Sequence, residues 1–374
     1  MLIALIVAAS LNVILMTTLA VLSGKHPPAT KPGEGKKGPS SAERASKASI
    51  SIIIAARNEA ENLQRFLPSV LRQDFPGEWE VIVALDRCSD DSAAVVVAFQ
   101  PRHRQLRLIA IEALPEGWTG KKFALDQGIK AAKFEIIALT DADCELPPKW
   151  LAGMQGQFEK GNDLVLGVSP YFPAPGLLNL FIRFETWMTA LLYTGLAKMG
   201  LAYMGVGRSL AYRRKWFESA GGFAGIAGRV SGDDDLLVNH AAHSGRVGVL
   251  TGIDYQVVSL PKRSWGEWFR QKVRHGSAGT AYSLRSLLIL SGIHGLQLFF
   301  YLSLIVVVLC VPAVWAWALL VYLLRTSALM GVLAAVPWKS KTMPWLAFPV
   351  LDIAYLIYLI LLPLAALRKQ PKWK

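Results

Sequence analysis

The chain has 374 residues, 53% of them hydrophobic and 18% charged, with 40 Lys and Arg against 27 Asp and Glu for a formal net charge of +13. That much apolar content excludes an ordinary soluble protein. Its three Cys, at 88, 144 and 310, make no metal-binding or disulfide pattern and suit a reducing compartment.

Residues 1–22, MLIALIVAASLNVILMTTLAVL, carry no charge and reach the length of about 20 residues needed to cross a bilayer. No basic segment precedes the run as in a signal peptide, so an uncleaved anchor is expected. Residues 23–47 read as a flexible linker rich in Pro, Gly and Ser, and its stretch 24–47 holds six Lys or Arg against two Glu. The positive-inside rule puts that linker, and the domain after it, on the cytoplasmic face of the cell membrane.

Residues 48–260 alternate between two periods. ISIIIA (50–55), EVIVAL (80–85), LRLIAI (106–111) and EIIALT (135–140) read as strands buried on both faces. Between them, Leu63, Phe66, Leu67, Val70 and Leu71 mark one face of a helix, and SAAVVVAF and residues 121–132 supply two more. Such alternation implies βαβ units and a mostly parallel α/β sheet, whose ligands bind beyond the carboxyl ends of the strands.

Polar residues gather at that edge. Arg57, Asn58 and Glu59 follow the first strand, Asp86, Arg87 and Cys88 the second, and Asp141 and Asp143 the fourth. Side chains at i and i+2 of an extended segment point to the same side, so Asp141 and Asp143 can converge on one ligand. A solvated turn or helix cap explains any one of these residues without function. It explains the set less well, since carboxylates brought together call for a cation, and oxygen ligands favour Mg²⁺ or Mn²⁺.

Beyond the domain, Trp265, Trp268, Phe269 and Val273 recur at helical spacing among basic residues, so 261–286 reads as an amphipathic helix in the membrane interface. Residues 287–374 hold a 27-residue uncharged run at 298–324, a second apolar run at 345–367 containing Asp352, and the basic tail RKQPKWK. Two C-terminal spans are expected, three in the whole chain with the tail inside; a hairpin within 287–324 would make four. Basic residues beside spans meet anionic headgroups, and no nucleic-acid-binding motif is present.

Taken together, SIIIAARNEAENL, VIVALDRCSDDS, GWTGKKFALDQGI, ALTDADCELPP and GDDDLLVN resemble, in order, motifs of the family 2 inverting glycosyltransferases. These are membrane-anchored enzymes whose GT-A fold is a Rossmann-like nucleotide-sugar-binding domain. The third stretch resembles members that glycosylate lipids such as ceramide or carotenoids. The resemblance implies a nucleotide-sugar donor, a UDP-sugar first, and Mn²⁺ or Mg²⁺ as cofactor. It lends nucleotide-sugar contacts to Glu59, Asp86 (on the uracil N3–H), Lys122, Asp141, Asp143 and Asp233, with Asp141 and Asp143 on the metal. Asp234 takes the place of the catalytic base and Asp235 that of a helix cap. QKVRH resembles a Q-x-x-R-W motif, lending donor or acceptor contacts to Gln271 and Arg274. Here His275 replaces the Trp that lines the acceptor site of processive synthases. The expected reaction is transfer of one sugar to a membrane lipid, with a processive polysaccharide synthase or a non-catalytic nucleotide-binding membrane protein as alternatives.

Overall fold

The computed structural model describes residues 1–24, 49–336 and 345–368. The basic linker from 25 onward and the tail beyond Arg368, on which the expected orientation rests, lie outside them.

A helix α1 (Leu2–Gly24) comes first. β1 (Ser49–Ala56), α2 (Ala60–Val70), β2 (Glu78–Asp86), α3 (Ser92–Phe99), β3 (Leu106–Ile111), α4 (Gly120–Ala131) and β4 (Ile136–Asp141) then follow as the periodicities predict. After them come β5 (Cys144–Glu145), α5 (Trp150–Phe158), β6 (Leu164–Gly167), α6 (Leu177–Lys198), β7 (Leu210–Arg213), α7 (Arg214–Ser219) and α8 (Asp235–Ala241). The chain continues through β8 (Val247–Leu250), β9 (Val258–Ser259), α9 (Trp265–Gly276), α10 (Leu284–Cys310), α11 (Trp315–Ala334) and α12 (Phe348–Arg368).

Seven strands form one sheet in the order β3-β2-β1-β4-β7-β6-β8, in which β7 runs antiparallel to its neighbours β4 and β6 and the remaining pairs are parallel. The Ile run of β1 is buried on both faces. Ile53, Ile82 and Leu139 pack in one layer with Leu125 and Ile129 of α4, while Ile52, Ile54, Val81 and Val83 pack in the other with Leu63 and Leu67 of α2 and Met154 of α5. The short pair β5–β9 lies just beyond β4.

α6 was not legible beforehand: it is apolar on most faces and 15 of its 22 residues are buried, so no single stripe stands out. It receives α1. A Cβ on Gly195 would come within 2.7 Å of Leu19, so only glycine permits the approach. Lys198 Nζ donates to the Leu22 and Ser23 carbonyls at 2.7 and 3.2 Å, and Thr251 Oγ1 donates to Ser23 O at 3.0 Å. These bonds satisfy carbonyls that a helix end leaves unpaired, so α1 is docked on the domain.

Among the described residues four helices are long and apolar enough to cross a membrane: α1, α10, the segment 312–334 and α12. The C-terminal region thus holds three such helices where two were expected. The run 298–324 breaks at Val311 and Pro312, because proline disfavours helical backbone in the residue before it and has no N–H to give. One buried polar node joins all four. Arg325 pairs with Asp352 and donates to Asn12 Oδ1 at 3.1 Å, while Tyr301 and Gln297 donate to Asp352 at 2.6 and 3.3 Å. From Asp352 in this node, α12 runs to Tyr358, against Trp268 of α9, and Leu362, against Gly276 at the end of α9.

Candidate active site

The turns after β1 and β2 are stitched together. Asn58 Oδ1 accepts from the Ser89 amide at 2.8 Å, Asp90 accepts from Ala60 N at 3.0 Å, and Ser92 Oγ accepts from Glu59 N at 3.0 Å. Asn58 and Arg87, with φ of 54° and 48°, are the non-glycine residues in left-handed backbone among those described. Both sit at the ligand edge of the sheet, where such strain is commonly stored.

Asp86 is 2% exposed, and its two oxygens take the fork of Arg87 at 2.7 and 3.1 Å. Gly120 lies over it, with a would-be Cβ only 2.0 Å from Asp86 Oδ2. This glycine opens α4 and delivers the next residue, Lys121, to the acidic edge. Lys121 Nζ bridges Asp141 at 3.0 Å and Asp233 at 2.9 Å. Burial opposes its charge, but Asp141, Asp233 and Asp234 hold its pKa well above the ordinary value.

A cavity of about 240 Å³ opens beside these groups, walled by Glu59, Asp141 and Asp143 at the sheet edge and by Asp233 and Asp234 across from them. Burial and the neighbouring Asp141 raise the carboxyl of Asp143. Asp233, held mainly by Lys121 and then Lys122 against its burial, is lowered to about 2. Asp234 is half-buried, whereas Asp233 and Asp235 are both buried, so it is the most open of the three aspartates. Its Oδ2 accepts from Gly207 N at 2.7 Å and its Oδ1 from Asp235 N at 2.8 Å. Burial and then Asp233 raise its pKa.

The sequence assigned the cap to Asp235; the structure gives it to Asp234, whose side chain accepts from the first helical amide. Asp235 instead accepts from Leu236 N and from the Tyr282 hydroxyl at 3.1 Å, and it too lines the cavity. The far wall belongs to α9 and α6. Gln271 and Arg274 face in, beside Lys272, whose ammonium lies 2.5 Å from the buried Glu185 of α6.

Seven of the nine predicted residues therefore share one cavity: Glu59, Asp141, Asp143, Asp233, Asp234, Gln271 and Arg274. Asp86 lies sealed beside it. Lys122 is not among the residues lining the cavity; its ammonium donates to two backbone carbonyls instead, because consecutive helical residues turn about 100° apart. Sequence reasoning missed Lys121, although it is the lysine directly after the glycine of W-x-G-K. It also missed Arg208, which lines the same cavity with its guanidinium 4.3 Å from the Tyr171 ring centre and is held charged, against its burial, by the carboxylates Asp143 and Asp141.

Comparison with known proteins bears on this geometry. Residues 51–221 match the family described as Glycosyl transferase family 2. The chain carries a family 2 glycosyltransferase domain. Relatives of that domain include the poly-beta-1,6-N-acetyl-D-glucosamine synthase of Staphylococcus epidermidis, 36% identical over 25% of this chain and 21% of that protein. The beta-monoglucosyldiacylglycerol synthase of Trichormus variabilis is 27% identical over 33% of this chain and 23% of its own length. This chain thus spans about a fifth of the length of each. A mannosyltransferase from Pyrobaculum calidifontis, solved with GDP-Man and Mn²⁺, superposes with a TM-score of 0.58 at 20% identity, covering 96% of this chain and 98% of that one. The likeness shows the fold: the family 2 domain is GT-A, with apolar helices at both ends.

Proposed function

We propose that this chain is an inverting glycosyltransferase that moves one sugar from a nucleotide-sugar donor, a UDP-sugar first, to a hydroxyl of a membrane lipid at the cytoplasmic face of the cell membrane. The observation that carries this reading is one cavity lined both by the half-buried, raised carboxylate of Asp234 and by the Asp141–Asp143 pair, with Gln271, Lys272 and Arg274 of α9 on its wall. Trp265 and Phe269 on α9 stay exposed, as an interfacial helix requires.

In this reading Asp234 takes the proton of the acceptor hydroxyl. The acceptor oxygen bonds to the anomeric carbon from the face opposite the donor phosphate, the bond from that carbon to the diphosphate oxygen breaks, and the nucleoside diphosphate leaves with the sugar inverted. Lys121, Arg208 and Arg274 supply positive charge around the departing diphosphate. Asp86 reads the uracil N3–H once the Arg87 fork turns aside.

Among the described residues no group of three or more His, Cys, Asp or Glu side chains gathers to cage a metal. The donor set fits an ion shared with a diphosphate: two carboxylates one residue apart, with Asp143 raised by burial and then by Asp141 even though Asp141 also meets Lys121. Asp141 and Asp143 would hold Mn²⁺ or Mg²⁺, which when bound offsets charge building on the leaving group.

A processive polysaccharide synthase is the second reading, favoured by the likeness to a polymer synthase. His275 in place of Trp speaks against it. The test is to incubate membranes holding the protein with a panel of labelled nucleotide sugars and separate the lipids. A lipid bearing one labelled sugar is expected. Label in a polymer would support the second reading, and nucleotide binding without any transfer would leave a non-catalytic binding protein.

A further inference from the structure

Lys122 has a role that its neighbour Lys121 does not. Its side chain is 1% exposed, and its ammonium donates to Arg229 O at 2.5 Å and Ser231 O at 2.8 Å. One turn earlier, Thr119 N donates to Ala227 O at 2.9 Å. Three alternate carbonyls of one loop, at 227, 229 and 231, are therefore held by a single segment at the start of α4. The loop needs holding: it contains Gly228 and leads into Gly232, whose φ is 103°, and then directly into Asp233 and Asp234. A buried ammonium is costly unless its donors are used. Burial does pull Lys122 below its ordinary pKa, with Asp233, Asp234 and Asp235 opposing.

We propose that Lys122 is a positioning residue: acting through the 227–231 loop, it fixes where Asp233 and Asp234 stand relative to Lys121. Two adjacent lysines thereby divide the work. Lys121 meets the carboxylates of the site, and Lys122 holds the backbone that presents them. Displacing a reacting group by about 1 Å can cost about 10²-fold in rate, so the clamp bears on turnover more than on donor affinity.

The role in turnover rests on the reading of Asp234 as base; the clamp itself does not. The test uses the full chain in detergent, comparing wild type with Lys122→Met, which keeps length and loses the donors, and Lys122→Arg, which can still donate to two carbonyls. Amide exchange in a peptide covering 228–236 reads the clamp, and kcat and KM for the donor read its consequence. Lys122→Met is expected to speed that exchange while distant peptides stay protected, and to lower kcat by about 10²-fold with KM changed by less than about 3-fold. Lys122→Arg is expected to recover most of both. Unchanged exchange in Lys122→Met, or faster exchange with wild-type kcat, would overturn the proposal. Should Lys122→Met not fold, Lys122→Leu, which also loses every donor but adds no polar atom to the buried site, gives the same decision. A wild-type protein that transfers no sugar sinks the glycosyltransferase reading, yet the exchange arm still decides the clamp.

Discussion

Replacing Asp234 with Asn tests the proposed base and the register of the aspartate run together. The carboxylate accepts from two backbone amides, Gly207 through Oδ2 and Asp235 through Oδ1. An asparagine offers one acceptor oxygen, so one amide loses its partner at a cost of about 1–3 kcal/mol in stability. The larger effect is chemical. Without a base, transfer is expected to fall by about 10² to 10⁴, or about 2.7 to 5.4 kcal/mol in barrier, while donor binding persists. Asp235→Asn serves as control, since its oxygens take Leu236 N and the Tyr282 hydroxyl, and that hydroxyl can turn to accept from an amide instead. It should keep transfer near the wild-type rate. The assay is transfer of labelled sugar to extracted lipid, with donor affinity and thermal unfolding measured on each variant. A dead Asp235→Asn with an active Asp234→Asn would refute the register, and full activity in both would refute the base. The pH profile adds a sign. Burial and then Asp233 raise the pKa of Asp234, and a base works deprotonated, so transfer should be full above that raised value and fall as pH drops through it. The acid limb of kcat is expected above the ordinary aspartate range, near 3.9. A limb at or below that range would remove the argument.

Chelation is expected to abolish transfer, with Mn²⁺ or Mg²⁺ restoring it, and Asp143→Ala to weaken nucleotide binding only when metal is present; equal weakening without metal would point to a folding defect. A reporter fused after Lys374 should read on the same side as the domain, because α12 runs from the buried Asp352 node toward Gly276 at the domain end of the bundle. A reporter on the opposite side would mean that α12 crosses fully. Arg325→Leu leaves Asp352 buried without its cation and should cost about 3–5 kcal/mol in detergent unfolding, whereas the double change Arg325→Leu with Asp352→Leu should recover much of it. A single variant as stable as wild type would show that the pair carries no weight.

What could be read beforehand follows from the range of the forces involved. The β1–β4 half was legible because each strand is an apolar run and each of its helices is short and bounded by polar turns. α6 was not, since burial on nearly every face erases the stripe that marks a helix. Pro312 was visible in the sequence, but whether a long apolar run bends back there depends on partners such as Asn12 and Asp352, far away along the chain. At the site, carboxylates announce themselves because several at one sheet edge demand compensation. Their cations do not, since Lys121, Lys122 and Arg208 look alike in a basic chain until geometry separates them. Lys121 and Lys122 make the point most sharply. They are chemically identical and adjacent, and the difference between touching Asp141 and gripping Arg229 O is one step of helical rotation, fixed by Gly120 pressed against Asp86. The glycine that lets α4 begin so close to β2 therefore decides which lysine meets the ligand and which holds the loop.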